Sequence, residues 1–178
     1  VQEYSNNTAT EYFVDVDANK YNSPYYRWFD EDWGWTHDAI AGTFTSIDLD
    51  ISAFDVDWPD ELDMISVWDG AAWASLGDLD GGNNIWSFTS FDLSGFAWAE
   101  GQVNAGLQVR VDIDSLNNSR TWALTLGKAT LSVDGGNQTC VPTPGIPCVI
   151  NVPEPTSLAL IGLGLAGMGI ARRRKARK

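Results

Sequence analysis

Apolar and polar residues alternate with a period of two along much of residues 1–136. Leu107, Val109, Val111 and Ile113, for example, are separated from one another by polar or charged residues. Alternation of this kind is typical of strands that bury one face. We predict strands at approximately 10–16, 43–55, 63–69, 72–77, 85–92, 106–114, 120–127 and 128–134.

Short turn sequences separate these predicted strands. Asp69-Gly70 and Asp134-Gly135-Gly136 are typical of tight turns between antiparallel strands. Residues 1–150 show no sustained helical stripe, although a short helix is expected near Ser94–Ala99. The pattern predicts an all-β domain, an antiparallel two-sheet β-sandwich of the jelly-roll or immunoglobulin-like type. The aromatic-rich residues 17–42 are expected to form a long ordered loop that caps it.

The pattern changes after residue 136. A Pro-rich linker is predicted at 137–155, and an uncharged apolar run follows at 156–171. This run would span about 24 Å as a helix, which is short against a hydrocarbon core of about 30 Å. Flanking arginines that snorkel would compensate. We predict one C-terminal transmembrane helix with a basic cytoplasmic end over 156–178, the domain lying outside; the alternative is a buried C-terminal helix.

Three elements in order characterise the last 27 residues. They are Val152-Pro153-Glu154-Pro155, the apolar run rich in Gly, Leu and Ala, and Arg172-Arg173-Arg174. This arrangement resembles the PEP-CTERM sorting signal of exopolysaccharide-producing Gram-negative bacteria. The resemblance implies recognition by an exosortase, a membrane-embedded cysteine transpeptidase, near Pro-Glu-Pro. It further implies an inner-membrane intermediate anchored through 156–171, followed by transfer to the cell surface or extracellular matrix.

The domain itself has a weaker resemblance. The stretches Asp32-Trp33-Gly34-Trp35-Thr36-His37 and Trp122-Ala123-Leu124-Thr125-Leu126 look like parts of exported bacterial β-sandwich domains that often carry this tail. Those domains have no assigned activity. The resemblance therefore implies the fold and leaves the function open.

Charge is distributed unevenly along the chain. The net charge is −13, but six of the 11 basic residues follow residue 155 and none of the 24 acidic residues does, so residues 1–155 carry −19. This balance argues against nucleic-acid binding and fits an extracellular domain or a binder of divalent cations. Cys140 and Cys148 would form a disulfide in an oxidising compartment, within the linker.

Acidic residues are densest between Asp48 and Asp63, where seven carboxylates occur in 16 residues. Calcium takes six to eight oxygen ligands, many of them carboxylates, so a calcium site is expected at strand ends and loops here. The spacing is not that of an EF-hand, and the alternative is a solvated acidic strand face. The candidate ligands are Asp55, Asp57, Asp60, Glu61, Asp63, Asp112 and Asp114.

Tryptophan is frequent, with nine in the chain. Its large apolar ring stacks on sugar rings when exposed, whereas a buried ring packs in a core or a loop. In a protein addressed to a polysaccharide-rich envelope, exopolysaccharide is the expected ligand. The candidate glycan-binding residues are Trp33, Trp35, Trp58 and Trp73.

No catalytic residues are predicted. His37 is the sole histidine, and no Gly-x-Ser-x-Gly elbow accompanies it. The sequence therefore favours a non-enzymatic surface or matrix protein, with glycan and calcium as candidate ligands. One alternative is a self-assembling filament or matrix subunit that donates its N-terminal segment (residues 1–5, then 10–16) to a neighbour's sheet. Another is a glycan hydrolase that uses paired carboxylates.

Overall fold

The computed structural model describes residues 2–4, 12–116 and 121–134. Nine strands and one α-helix make up its regular structure in these ranges, together with a 3₁₀ turn at Asp17–Asn19. The helix, α1, covers Ala99–Ala105. The strands are β1 Gln2–Tyr4, β2 Arg27–Trp28, β3 Trp33–Thr36, β4 Ile47–Phe54, β5 Met64–Trp68, β6 Trp73–Asp78, β7 Trp86–Asp92, β8 Gln108–Asp112 and β9 Ala123–Val133.

The strands form two antiparallel sheets. The first sheet has the order β1-β9-β4-β7, and β2 also pairs with β9. The second sheet has the order β3-β8-β5-β6. The prediction of an all-β domain with two antiparallel sheets is thus confirmed.

Apolar side chains from both sheets meet in one core. The core side chains of β4, β9, β5 and β8 contact one another and are buried. Each such aliphatic side chain contributes about 1.5–3 kcal/mol through removal from water. The alternation in the sequence therefore selects the faces that pack together, as Leu49, Ile51, Leu131, Ile65 and Val111 show.

The alternation along β9 changes phase at Gly127. Leu124 and Leu126 point to the core before it, whereas Ala129 and Leu131 do so after it. Opposite, Ser52 pairs with Lys128 but Ala53 pairs with Leu126, which leaves Gly127 as an extra residue, a β-bulge. Two strands predicted at 120–127 and 128–134 are in fact this one bulged strand.

Several other sequence predictions were wrong in detail. Residues 12–16 form turns and bends instead of the predicted strand, and residues 10–11 lie outside the described ranges. The segment 17–42, expected to be a loop, contributes β2 and β3. The short helix exists but begins at Ala99, where the one expected near 94–99 was to end.

The predicted linker and membrane helix lie outside the described residues. So do Cys140 and Cys148, and their disulfide stays a prediction. Within 2–4, 12–116 and 121–134, no helix is long and apolar enough to cross a bilayer.

Deletion of Gly127 tests the role of the bulge. Without the extra residue, either half of β9 must turn its apolar side chains away from the core. We expect destabilisation of more than about 4 kcal/mol, measured by urea unfolding. Gly127→Ala keeps the residue count and should cost much less; equal losses for both changes would contradict the register argument.

Candidate functional site

A groove of about 380 Å³ crosses the outer face of the second sheet. It forms because the outward positions of β3 and β8 face each other in register, Gly34 opposite Arg110 and Thr36 opposite Gln108. Gly34 has no side chain to fill the space, and a Cβ there would lie 2.6 Å from the Val109 carbonyl oxygen. Trp73 of β6 contributes to the lining.

The groove combines one exposed ring with several polar groups. Trp73 is 37% exposed, and the Arg110 guanidinium lies 4.6 Å from the centre of its ring. Arg110 covers one face of the indole, and the Trp68 ring packs against Trp73 with 5.8 Å between the ring centres. The polar groups that line the groove are Asp32, Thr36, Gln108, Arg110 and Asp112.

The charges in the groove influence one another. Burial first, and then the neighbouring Asp32, raise the pKa of Asp112, whereas Arg110 lowers it. Asp32 is also held in place, since its Oδ1 accepts a hydrogen bond of 2.9 Å from the Ile113 amide. The carboxylates and the guanidinium thus offer fixed acceptors and donors for a ligand rich in hydroxyl groups.

The four candidate tryptophans have different environments. Trp33 and Trp35 line the groove from β3, but they are only 9% and 4% exposed and pack in the core with Phe13. Stacking on a sugar is therefore a poor assignment for them. Trp58 is 49% exposed in the β4–β5 loop and is not part of the groove. Only Trp73 of the four presents an exposed ring in it.

Two of the seven candidate calcium ligands are engaged by the protein itself at the end of β4. Asp55 accepts a hydrogen bond from the Tyr26 hydroxyl at 2.7 Å and another from the Asn84 amide at 2.6 Å. Asp57 accepts one from the Asn83 side chain at 3.3 Å. Both aspartates therefore order the adjoining loops.

Asp60 and Asp112 have different surroundings, although Asp60 acts electrostatically on Asp57 and Asp114 acts on Asp112. Asp60 is exposed on the β4–β5 loop. Asp112 lines the groove instead. The seven residues therefore do not form one ligand set.

Glu61, Asp63 and Asp114 lie close enough to interact electrostatically. All three are fully buried, at 0% exposure. The Asp114 amide donates to Asp63 Oδ1 at 3.2 Å, and the Ser115 amide donates to the Leu62 carbonyl oxygen at 2.8 Å. These bonds join the β4–β5 loop to the end of β8.

A fourth carboxylate lies near these three. Asp78, the last residue of β6, interacts electrostatically with Asp63. The sequence offers residues 78–83 as a separate candidate calcium loop, but it does not show that Asp78 lies near Asp63. Within the described ranges, no three His, Cys, Asp or Glu side chains converge in a ready-made metal-binding geometry.

The family model described as the PEP-CTERM protein-sorting motif matches residues 151–175. The chain carries a PEP-CTERM motif. This motif implies export through the exosortase pathway, with an exosortase as processing partner and a membrane-anchored intermediate. No curated protein and no solved structure matches the chain.

His37 is a buried core residue of the domain that precedes this motif. It is 0% exposed, and its Nε2 accepts a hydrogen bond of 3.1 Å from the Trp35 indole N–H. Acceptance at Nε2 requires the neutral imidazole. Burial lowers the pKa of His37 to about 3.

His37 should therefore make the free energy of unfolding depend on pH. Its folded-state pKa lies below the value of about 6.5 expected when unfolded, so its contribution is present above that pH and is lost as the pH falls toward 3. Wild type should lose unfolding free energy faster than His37→Gln between about pH 6.5 and 4. Gln retains an acceptor for Trp35, and parallel pH profiles would contradict a neutral buried histidine.

Proposed function

We propose that this exported domain is a non-enzymatic surface or matrix protein that binds exopolysaccharide in the groove of its second sheet. The observation that carries the proposal is the exposed Trp73 ring beside Arg110, in a groove also lined by carboxylate and amide groups. An apolar ring with polar groups around it matches a sugar ring edged by hydroxyls.

The position of the groove supports a long ligand. The groove is open to solvent because it lies on the outer face of the sheet. Gly34 and Ser66, the two residues paired with Arg110, carry no side chain or a small one. A chain of sugars can lie across such a surface without entering a closed pocket. A small metabolite would instead favour a deeper, more apolar cavity.

The sorting motif supports the class of ligand. Export takes the domain out of the cytoplasm. The abundant polymers that it then meets, in the envelope and matrix, are polysaccharides and proteins. The high negative charge of residues 1–155 disfavours an acidic polymer, so a neutral or weakly charged polysaccharide is the better match.

Self-assembly through strand donation stays a prediction. The segment Gln2–Tyr4 pairs antiparallel with Leu131 to Ala129 of β9 in the same chain. Donation to a neighbouring molecule would require this pairing to open. The hydrolase alternative requires turnover, and the carboxylates in the groove, Asp32 and Asp112, are the acids to test first.

Substitution of Trp73 tests the binding proposal. The full-length chain in detergent should bind the exopolysaccharide of the producing bacterium, measured by isothermal titration calorimetry. Trp73→Ala removes the stacking ring and should weaken binding about tenfold, or roughly 1.4 kcal/mol. Arg110→Lys should also weaken it, because an ammonium loses the planar stack on Trp73.

Trp58→Ala is the matched control, since Trp58 is exposed but outside the groove. It should bind as the wild type does. Equal losses for Trp58→Ala and Trp73→Ala, or no binding by wild type, would overturn the proposal. Release of reducing ends that Asp112→Asn abolishes would favour the hydrolase instead.

A further inference from the structure

The β4–β5 loop carries two acidic side chains into the protein interior. The loop turns at Asp57, which has a left-handed backbone conformation (φ 52°). The carbonyl oxygen of Asp57 accepts hydrogen bonds from the amides of Asp60 and Glu61, at 2.9 and 3.1 Å. This turn directs Glu61 inward, and both Glu61 and Asp63 are 0% exposed.

Their oxygens are not satisfied by the protein. Among the described residues, no donor reaches Oε1 or Oε2 of Glu61 or Oδ2 of Asp63, although the two side chains lie within hydrogen-bonding reach of each other. Two carboxylates only accept, so they can bond to each other only if one is protonated. A buried carboxylate with unpartnered oxygens is strongly unfavourable unless a cation or a proton neutralises it.

The surrounding charges increase the free-energy cost of burying these two carboxylates. Apart from one another, the charged side chains that act on Glu61 and Asp63 are Asp57, Asp78 and Asp114, and all are acidic. Burial is the largest cause that raises the pKa of both groups. The charge of Asp63 raises the pKa of Glu61 further, whereas the hydrogen bonds from the Asp114 amide and Glu61 oppose the rise for Asp63.

We propose that Glu61 and Asp63 together bind one calcium ion. The donors are hard carboxylate oxygens, and calcium accepts irregular sets of six to eight oxygens. Because no third acidic side chain converges on one point with them in the described ranges, backbone carbonyl oxygens and water complete the shell. Magnesium is a poorer match because it demands a near-ideal octahedron.

The ion would stabilise the junction of three segments. The Asp63 carbonyl oxygen accepts from the Leu79 amide at 2.9 Å, just after β6, and its side chain accepts from Asp114, just after β8. An ion at Glu61 and Asp63 therefore holds the β4–β5 loop against the ends of both strands. This inference uses no part of the groove and does not depend on glycan binding.

Thermal unfolding of the full-length chain in detergent tests the inference. Millimolar calcium should raise the unfolding midpoint by at least about 5 °C over chelator, and calorimetry should show one ion per chain. Glu61→Gln and Asp63→Asn should abolish both responses. In chelator these variants should unfold at the same or a higher temperature than wild type, because each removes a repelling charge.

Asp60→Asn is the matched control, an exposed acid on the same loop, and should keep the calcium response. A calcium shift that persists in both Glu61→Gln and Asp63→Asn would overturn the assignment of the site. So would a wild type that ignores calcium while Glu61→Gln is stabilised in chelator, since that result indicates a proton shared by the two carboxyl groups.

Discussion

The pairing of β9 is the constraint on which the first sheet depends. One edge of this strand pairs with β4 from Ile47↔Val133 to Phe54↔Thr125. Its other edge accepts β1 near one end and β2 near the other. Since side chains alternate faces, the register of this one strand decides which residues of β4 and β9 enter the core. The bulge at Gly127 lets an 11-residue strand keep an apolar face inward along its length.

The second sheet packs against that core and carries the residues that line the groove. β8 packs Val109 and Val111 inward, so Gln108, Arg110 and Asp112 must face out and line the groove. Just beyond β8, two consecutive amides donate to carboxylates, Ile113 to Asp32 and Asp114 to Asp63. The groove and the buried acids are thus connected through one short stretch of backbone.

Alternation with period two predicted β4 and β8, and the predicted strands 63–69, 72–77 and 85–92 correspond to β5, β6 and β7. It failed where the signal was short or shifted. β3 has only Trp33-Gly34-Trp35-Thr36, and the bulge at Gly127 looked like a break between strands. The candidate site was less predictable. Acid density identified Glu61 and Asp63 but also Asp60, because the sequence does not show which loop carboxylate turns inward. Composition likewise did not distinguish the exposed Trp73 from the buried Trp33.

The net charge of the domain and the charges buried inside it have different effects on stability. A carboxylate in water, such as Asp60, is well solvated and screened from its neighbours, so many of them raise solubility at little cost. A carboxylate without partners in the interior, such as Glu61, loses that solvation and cannot regain it from like-charged neighbours. The charge of −19 on residues 1–155 is thus compatible with an ordinary exported domain. The requirement for a counter-ion or a proton comes from the two inward-facing acids at Glu61 and Asp63, whatever the charge of the remaining surface.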